Sequence, residues 1–336
     1  MQFDRDRYVN IQSGAVGLAA GLHAALGEAL AKGARNIFFL GTGGAAILMH
    51  PAAQMLQRQS GLTVYVEIAA EIVVVGHAQL GAHSIVVIPS LSGTTRESVE
   101  LAETCKARGA TVIALVGHAG TPVAKAAHHA FVNFAEDDTS CESFYMQGLL
   151  IALSVLHHRG EIGDYAAVLS DLVKLPLLLA GVKDQFDAAA EAYAAKIAAE
   201  PYHLITAAGN CWPEAWYFGM CILEEMQWIR TRPVHAADFF HGPLELVEKG
   251  VSVMVYKGED ESRPLAGRVE RFVNQYTDKV FVLDTAAFAL PGIGSRARAL
   301  ISPMMLASAL ERLSQYLASR RNHPLTTRRY YKRVPY

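Results

Sequence analysis

A short apolar run that ends in a glycine turn and continues as a helical pattern occurs twice in this chain of 336 residues. The first copy is Asn36-Ile-Phe-Phe-Leu-Gly-Thr-Gly-Gly, and the second runs from His203 to its turn at Gly209. Apolar strands that alternate with helices are typical of a parallel sheet with helices on both faces. The repeat predicts an α/β fold of two tandem, doubly wound subdomains, residues 1–160 and 161–336.

Later strand candidates follow the same offset of 166 to 168 residues. In the first half we predict strands at 64–68, 84–88 and 111–116, with helices at 97–106 and 122–127 between them. In the second half we predict strands at 251–256 and 279–284 and a final helix over 306–320. A helical connection over 145–199, with breaks near Gly160 and Pro176, would join the halves. Ligands of such sheets bind where the strands end, at their carboxyl edges.

The charge balance narrows the class of partner. The chain has 30 Lys and Arg against 32 Asp and Glu, a formal net charge of -2, and no long basic stripe. Nucleic acids and anionic membranes select proteins with a surplus of positive charge. We therefore expect a small-molecule partner, with neither nucleic acid nor membrane involved.

Four cysteines, at 105, 141, 211 and 221, form no CxxC pair and have no histidine at zinc-ligand spacing. No apolar run reaches the roughly 18 residues of a membrane span, and the charged N-terminus lacks the apolar segment of an export signal. These features predict a cytoplasmic protein without a metal site.

The sequence Ser90-Leu-Ser-Gly-Thr-Thr95 joins a buried strand to a helix. Hydroxyls of Ser90, Ser92 and Thr95 and the first N–H groups of the helix are donors for an anion, and Gly93 permits close approach of the backbone. The sequence favours a phosphate site here. The alternative is an ordinary capping box between Thr94 and Glu97, which would need no ligand.

Two comparisons bear on that phosphate site. The corresponding loop of the second half, Lys257-Gly-Glu-Asp-Glu-Ser262, carries three carboxylates that would repel phosphate, which predicts one site per chain. The turn Gly41-Thr-Gly-Gly-Ala-Ala46, with Glu67 on the next strand, also fits a dinucleotide fingerprint. Routine packing explains that turn equally well, and we predict no cofactor.

A third group of residues is Glu225, which follows an apolar helical stretch near Trp228, and His241, which precedes Gly-Pro. A carboxylate in apolar surroundings is a candidate general base, and a histidine on a constrained loop is a candidate acid. From these residues alone, a solvated glutamate and a structural histidine remain the simpler interpretation.

Together these motifs resemble the sugar isomerase (SIS) domain family over nearly the whole chain. The carrying segments are Ser90–Thr95, Glu225, Phe239-Phe-His-Gly-Pro-Leu-Glu245 and the tail His323-Pro-Leu-Thr-Thr-Arg-Arg-Tyr-Tyr-Lys332-Arg-Val-Pro-Tyr336. The resemblance is to the two-domain branch that holds the isomerase half of glucosamine-6-phosphate synthase and the fructosamine-6-phosphate deglycases, among them the 6-phosphofructose-aspartate deglycase.

The resemblance implies roles for particular residues. Glu225 would be the base, His241 the acid, supplied by the neighbouring subunit of a homodimer, and Lys332 the lysine of the substrate-binding tail. The residues implied to contact phosphate or sugar are Gly43, Gly44, Ser90, Leu91, Ser92, Gly93, Thr95, Glu71 and Glu142. In the synthase a lysine precedes the catalytic glutamate by three residues, whereas this chain has Ile222 there; Ala45 and Leu91 likewise replace a serine and a polar residue.

The implied function is cleavage of a 6-phosphofructosyl amino acid to glucose 6-phosphate and an amine. Aldose-ketose isomerisation, or a synthase-like reaction, would use the same base and phosphate loop, and a non-catalytic sugar-phosphate sensor would keep the loop alone. The sequence does not identify the amine. The residues that would recognise the amine are Arg230, Arg232 or Arg328, for which a surface location is an equal alternative.

Overall fold

The computed structural model describes residues 3–335, which form two compact units. The first unit is residues 4–177, and the second is residues 178–335 together with Phe3. Met1, Gln2 and Tyr336, the last residue of the predicted tail motif, lie outside the described residues. Sequence alone placed the division between 160 and 161.

The first unit contains a five-stranded parallel sheet in the order β2-β1-β3-β4-β5. Its three inner strands are the apolar runs, and they are buried on both faces, as helices covering both sides of a parallel sheet require. The strands are β1 (Asn36–Gly41), β2 (Thr63–Ile68), β3 (Ser84–Ser90), β4 (Thr111–Val116) and β5 (His129–Val132).

Ten helices accompany this sheet, the last of which crosses into the second unit. They are α1 (Arg5–Gly17), α2 (Ala19–Ala31), α3 (Gly43–Ile47), α4 (His50–Gln59), α5 (Ala69–Val75), α6 (Arg96–Ala107), α7 (Pro122–Ala126), α8 (Ser140–His158), α9 (Tyr165–Leu172) and α10 (Leu175–Ile197). By length and composition, residues 5–31 would also reach across a bilayer. In the structure their apolar side chains, such as Leu22 and Leu26, are buried, and α1 and α2 pack on α8.

The second unit repeats this topology with one strand fewer. Its parallel sheet has the order β7-β6-β8-β9, in which each strand takes the place of its counterpart in the series β2-β1-β3-β4. The strands are β6 (Tyr202–Ala207), β7 (Arg230–His235), β8 (Ser252–Lys257) and β9 (Val280–Asp284). The predicted α/β class with two doubly wound subdomains is confirmed.

Helices of the second unit include one unusual element. The segment Phe218–Met226 is a π-helix that continues directly from α11 (Trp212–Tyr217). The others are α12 (Arg263–Val273), α13 (Ser295–Arg320) and three short 3-10 turns at Gly209–Cys211, Pro243–Leu246 and Thr285–Ala287. Because π-turns are rare and concentrate at functional sites, the residues at the end of this helix are candidates for a functional role.

His203 makes the stability of the second unit dependent on pH. Its ring is completely buried between β6 and β8, with Nδ1 2.7 Å from the Ser252 hydroxyl and Nε2 without a partner among residues 3–335. Burial lowers the pKa of His203 to about 4 from its ordinary 6.5. Between pH 6.5 and pH 4 the unfolded chain therefore binds a proton at His203 that the folded chain does not bind. The free energy of unfolding falls as the pH drops through this range.

We expect the free energy of unfolding to lose roughly 3 kcal/mol to this one group between pH 6.5 and pH 4. Urea unfolding across that range measures it. Since asparagine can keep a polar group near Ser252 without titrating, His203→Asn should flatten the dependence. The exposed His118→Asn is the control. An unchanged slope in His203→Asn would contradict the assignment.

Candidate functional site

Two buried hydroxyls mark the carboxyl edge of the first sheet. Ser90 ends β3 with 4% of its surface exposed, and Thr42 directly follows the neighbouring strand β1. Neither Oγ of Ser90 nor Oγ1 of Thr42 has a hydrogen-bond partner within the described chain. The chain runs from β1 outward to β2 on one side and to β3 on the other, so these hydroxyls lie at the topological switch point. Hydroxyls at this edge of a parallel sheet are suitably placed to bind a polar ligand.

The loop after β3 leaves its hydroxyls uncommitted to the helix. Helix α6 begins at Arg96, its N-cap is Thr95, and the Thr95 side chain accepts no capping hydrogen bond. The Thr94 hydroxyl and N–H instead donate to the Ser92 hydroxyl, at 3.1 and 3.3 Å. The capping-box alternative is therefore wrong, since Thr94 does not cap the helix.

Gly93 fixes the shape of this loop. Its φ is +61°, a conformation that favours glycine, and its N–H donates to the Ser90 carbonyl at 3.0 Å. A Cβ at this position would lie 2.2 Å from the hydroxyl oxygen of Thr121. The backbone of the loop can approach α7 this closely only because residue 93 has no side chain.

The two glycine turns have nearly the same φ and different surroundings. Gly43 has φ of +57° and Gly209 has φ of +56°. A Cβ on Gly209 would meet the Asp260 carboxylate at 2.2 Å, whereas a Cβ on Gly43 would meet nothing within 4 Å. The space over the turn is thus filled in the second unit and open in the first.

Asp260 occupies that space as an anion would. Its Oδ2 accepts from the Asn210 N–H at 2.9 Å, and its Oδ1 accepts from the N–H of Ser262 at 3.0 Å and from the Ser262 hydroxyl. Because β8 starts at Ser252 and β3 at Ser84, the residue at the corresponding position in the first unit is Ser92. A short hydroxyl side chain there leaves room for an external anion.

The remaining predicted residues of the first unit differ in environment. Glu71 is exposed in the first turn of α5, while Glu142 is 1% exposed in the first turn of α8 and accepts a hydrogen bond of 2.9 Å from the Tyr8 hydroxyl. Leu91 is half-buried, and its carbonyl accepts from the Gly117 N–H at 2.9 Å. Gly44 lies half-buried in α3, directly after the open turn.

In the second unit Glu225 lies near the end of the π-helix. Its side chain is 33% exposed, and its Oε1 lies 2.8 Å from Nε of Arg328 in the C-terminal tail. The preceding residue, Glu224, is exposed and accepts a hydrogen bond of 2.6 Å from the Thr231 hydroxyl. Of these adjacent carboxylates, Glu225 is therefore the half-buried one with a cation, and a freely solvated glutamate does not describe it.

His241 lies on the turn that follows β7. Its N–H donates to the Asp238 carbonyl at 2.9 Å, and the next residue, Gly242, has φ of +127°. The imidazole is exposed and makes no hydrogen bond to the part of the chain that the structure describes. The interpretation as a satisfied structural histidine is wrong, and the ring is available to a substrate.

Lys332 is also exposed, in a tail turn with φ of +56°, and its ammonium lies 5.2 Å from the centre of the Tyr331 ring.

The sequence did not single out Thr42 as a site residue. The signal that could have identified it is its position one residue beyond a strand. The sequence also did not distinguish Arg328 from Arg230 and Arg232, for all of which a surface location was an equal alternative. Arg230 and Arg232 are exposed, but the Arg328 side chain is only 12% exposed.

Comparisons with known proteins agree with these features. Residues 30–157 match the family model described as SIS domain. Fructosamine deglycase FrlB of Bacillus subtilis is 29% identical over 303 residues, 90% of this chain and 92% of that protein. Fructoselysine 6-phosphate deglycase of Escherichia coli is 27% identical over 317 residues, 92% of this chain and 89% of that protein.

A solved Bacillus subtilis structure described as a candidate phosphosugar isomerase shares the fold. It covers 94% of this chain and 100% of its own, with a TM-score of 0.87 and 28% identity. The resemblance inferred from the motifs is confirmed by these likenesses. Residues 30–157 thus match a SIS domain, and the chain is similar over most of its length to proteins named as deglycases and to a solved structure described as a candidate phosphosugar isomerase.

Proposed function

We propose that this protein is a deglycase that converts a 6-phosphofructosyl amino acid, an Amadori compound, to glucose 6-phosphate and a free amine. The observation that carries the proposal is the open glycine turn beside the hydroxyls of Ser90 and Thr42, since its copy in the second unit is closed by a carboxylate. Relatives named as deglycases of fructosamines and of fructoselysine 6-phosphate support the substrate class.

In this proposal the first unit anchors the substrate. Hydroxyls of Ser90, Ser92 and Thr95 and N–H groups around Gly43 and the start of α6 bind the 6-phosphate. Anchoring one end of an open-chain sugar aligns its reacting carbons. Because this alignment is achieved on binding, the reaction step itself has a smaller entropic cost. Leu91, Gly44, Gly93, Glu71 and Glu142 are proposed to border the bound sugar.

The second unit supplies the proton transfers. Glu225 removes a proton from C1, and the C2 carbonyl oxygen takes up a proton, giving an enaminol. His241 as imidazolium then returns a proton to C2, which moves the double bond to C1 and nitrogen. Water adds to this C1 imine, and the amine leaves as glucose 6-phosphate forms. The Lys332 ammonium would stabilise oxyanion charge during these steps.

We propose further that the active unit is a cytoplasmic homodimer in which His241 serves the partner's site. The exposed imidazole without a hydrogen bond to the described chain supports this arrangement. Co-expression of Glu225→Gln and His241→Asn chains, with purification of mixed dimers by two tags, should then restore activity at one of the two sites. Mixed dimers as inactive as the parents would place both residues in one chain.

The defining experiment incubates the protein with a panel of 6-phosphofructosyl amino acids and, separately, with fructose 6-phosphate. We expect release of glucose 6-phosphate and amine in equal amounts from at least one panel member, and no conversion of fructose 6-phosphate. Conversion of fructose 6-phosphate alone would make the protein an isomerase. Binding of glucose 6-phosphate without any turnover would make it a sensor.

A further inference from the structure

The C-terminal tail, residues 321–335, packs against the end of the π-helix through several separate contacts. The Gln227 side chain donates to the His323 carbonyl at 2.7 Å, and the Trp228 ring meets the His323 ring edge-on at 4.5 Å. The Arg329 guanidinium stacks 4.1 Å from the centre of the Trp228 ring. The start of the tail is thus held on the two residues that follow Met226, the last residue of the π-helix.

Trp228 has an unfavourable backbone conformation in this packing. Its φ is +56°, in the left-handed region where a bulky residue is strained. Its N–H donates to the Glu224 carbonyl at 3.2 Å, so it closes the helix where glycine is the common residue. Strain of this kind persists where surrounding contacts determine it, and here those contacts come from the tail.

The docked tail carries Arg328 to Glu225. Nη1 of Arg328 donates to the carbonyls of Leu325 and Thr327, at 2.6 and 3.0 Å, which orients the guanidinium plane within its own turn. Nε then lies 2.8 Å from Oε1 of Glu225. The guanidinium is therefore held by its own turn on one side and by the ion pair with Glu225 on the other, and this ion pair restrains the carboxylate.

The helix itself offers Glu225 no positive charge. Ile222 and Cys221, about one turn earlier, are uncharged, and the segment Phe218–Met226 contains no Lys or Arg. A positive charge reaches Glu225 from the tail instead, since Nε of Arg328 lies 2.8 Å from its Oε1.

We propose that Arg328 is a positioning residue for Glu225: the docked tail holds its guanidinium on the carboxylate, fixing the rotamer of the base. The inference rests on the proposed role of Glu225. It assigns the tail a function separate from that of Lys332, because Arg328 acts on the base and needs no contact with the substrate.

The test compares Arg328→Met with Arg333→Met, an exposed arginine of the same tail. Loss of orientation in Arg328→Met should lower kcat by about 10- to 100-fold with little change in KM. Arg328→Lys keeps a cation that can reach the carboxylate and should recover part of the lost kcat, and Arg333→Met should behave as wild type.

A purely structural role would lower activity equally in the Lys and Met variants, which would overturn the proposal. A thermodynamic cycle gives a readout without substrate. Urea midpoints of Arg328→Met, Glu225→Gln and the double variant should be non-additive, because the partners are in contact. Additive shifts of the urea midpoint would overturn the proposal even if no sugar is turned over. Non-additive shifts together with a fully active Glu225→Gln enzyme would instead reject the role of Glu225 as the base and retain its pairing with Arg328.

Discussion

Glu225→Gln is expected to lower kcat on the best substrate of the panel at least ~100-fold, because positioned general bases contribute roughly 100- to 10,000-fold. Glutamine has nearly the same volume and keeps an oxygen that Arg328 can contact at the position now 2.8 Å from its Nε. The loss should therefore appear in proton abstraction and leave the affinity for glucose 6-phosphate near that of the wild type. Steady-state kinetics and a binding titration measure the two effects.

The chain provides a matched control in the adjacent carboxylate. Glu224 is exposed and bonded to Thr231, so Glu224→Gln removes the same charge one residue away. We expect its kcat within about threefold of the wild type, as for most surface substitutions. If Glu225→Gln retains turnover within the same threefold range, the base assignment fails. Exchange of the C1 proton with deuterated solvent would identify which chemical step is affected.

Strand signals in the sequence were strongest where both faces are buried. The prediction for β4, 111–116, coincides with the structure, and β3 continues two residues beyond its prediction through Pro89 to Ser90. Two edge strands, β5 and β7, were missed: β7 contains Pro233 and several charged or polar side chains, which is permitted because an edge strand has one unpaired side. Helix α13 begins at Ser295, well before the predicted 306, since packing keeps Pro303 inside a helix.

The chemistry was predictable where one local segment carries it. The hydroxyl loop and the acidic copy were identified from spacing, because a strand, a turn and a helix occupy consecutive residues. The pair of Glu225 and Arg328 was not, since its partners belong to segments far apart in the sequence that meet only in the folded unit. Likewise, the sequence predicted that the carboxylates of the second copy repel phosphate, while the structure shows Asp260 accepting from the Asn210 N–H of the glycine turn and from the Ser262 N–H of its own loop.

The Asp260 carboxylate shows which substitution would close the open turn of the first unit. Ser92 corresponds to Asp260, and the turns beside them have the same φ, +57° at Gly43 and +56° at Gly209. Ser92→Asp should therefore place a carboxylate over the Gly43 turn, where nothing lies within 4 Å of a built Cβ, without disturbing the fold. The new anion would take the N–H donors and repel a sugar phosphate.

Like charges brought together cost several kcal/mol, and each 1.4 kcal/mol is a factor of ten, so we expect Ser92→Asp to weaken glucose 6-phosphate binding at least ~100-fold. Ser92→Asn has the same shape without the charge and should lose no more than about tenfold, the scale of one hydrogen bond. Calorimetric titration of both variants separates charge from shape. Equal affinities would mean that the phosphate binds elsewhere. A thermal midpoint near that of the wild type would show that the introduced carboxylate is accommodated as the Asp260 carboxylate is, with the difference in affinity arising from the occupied turn.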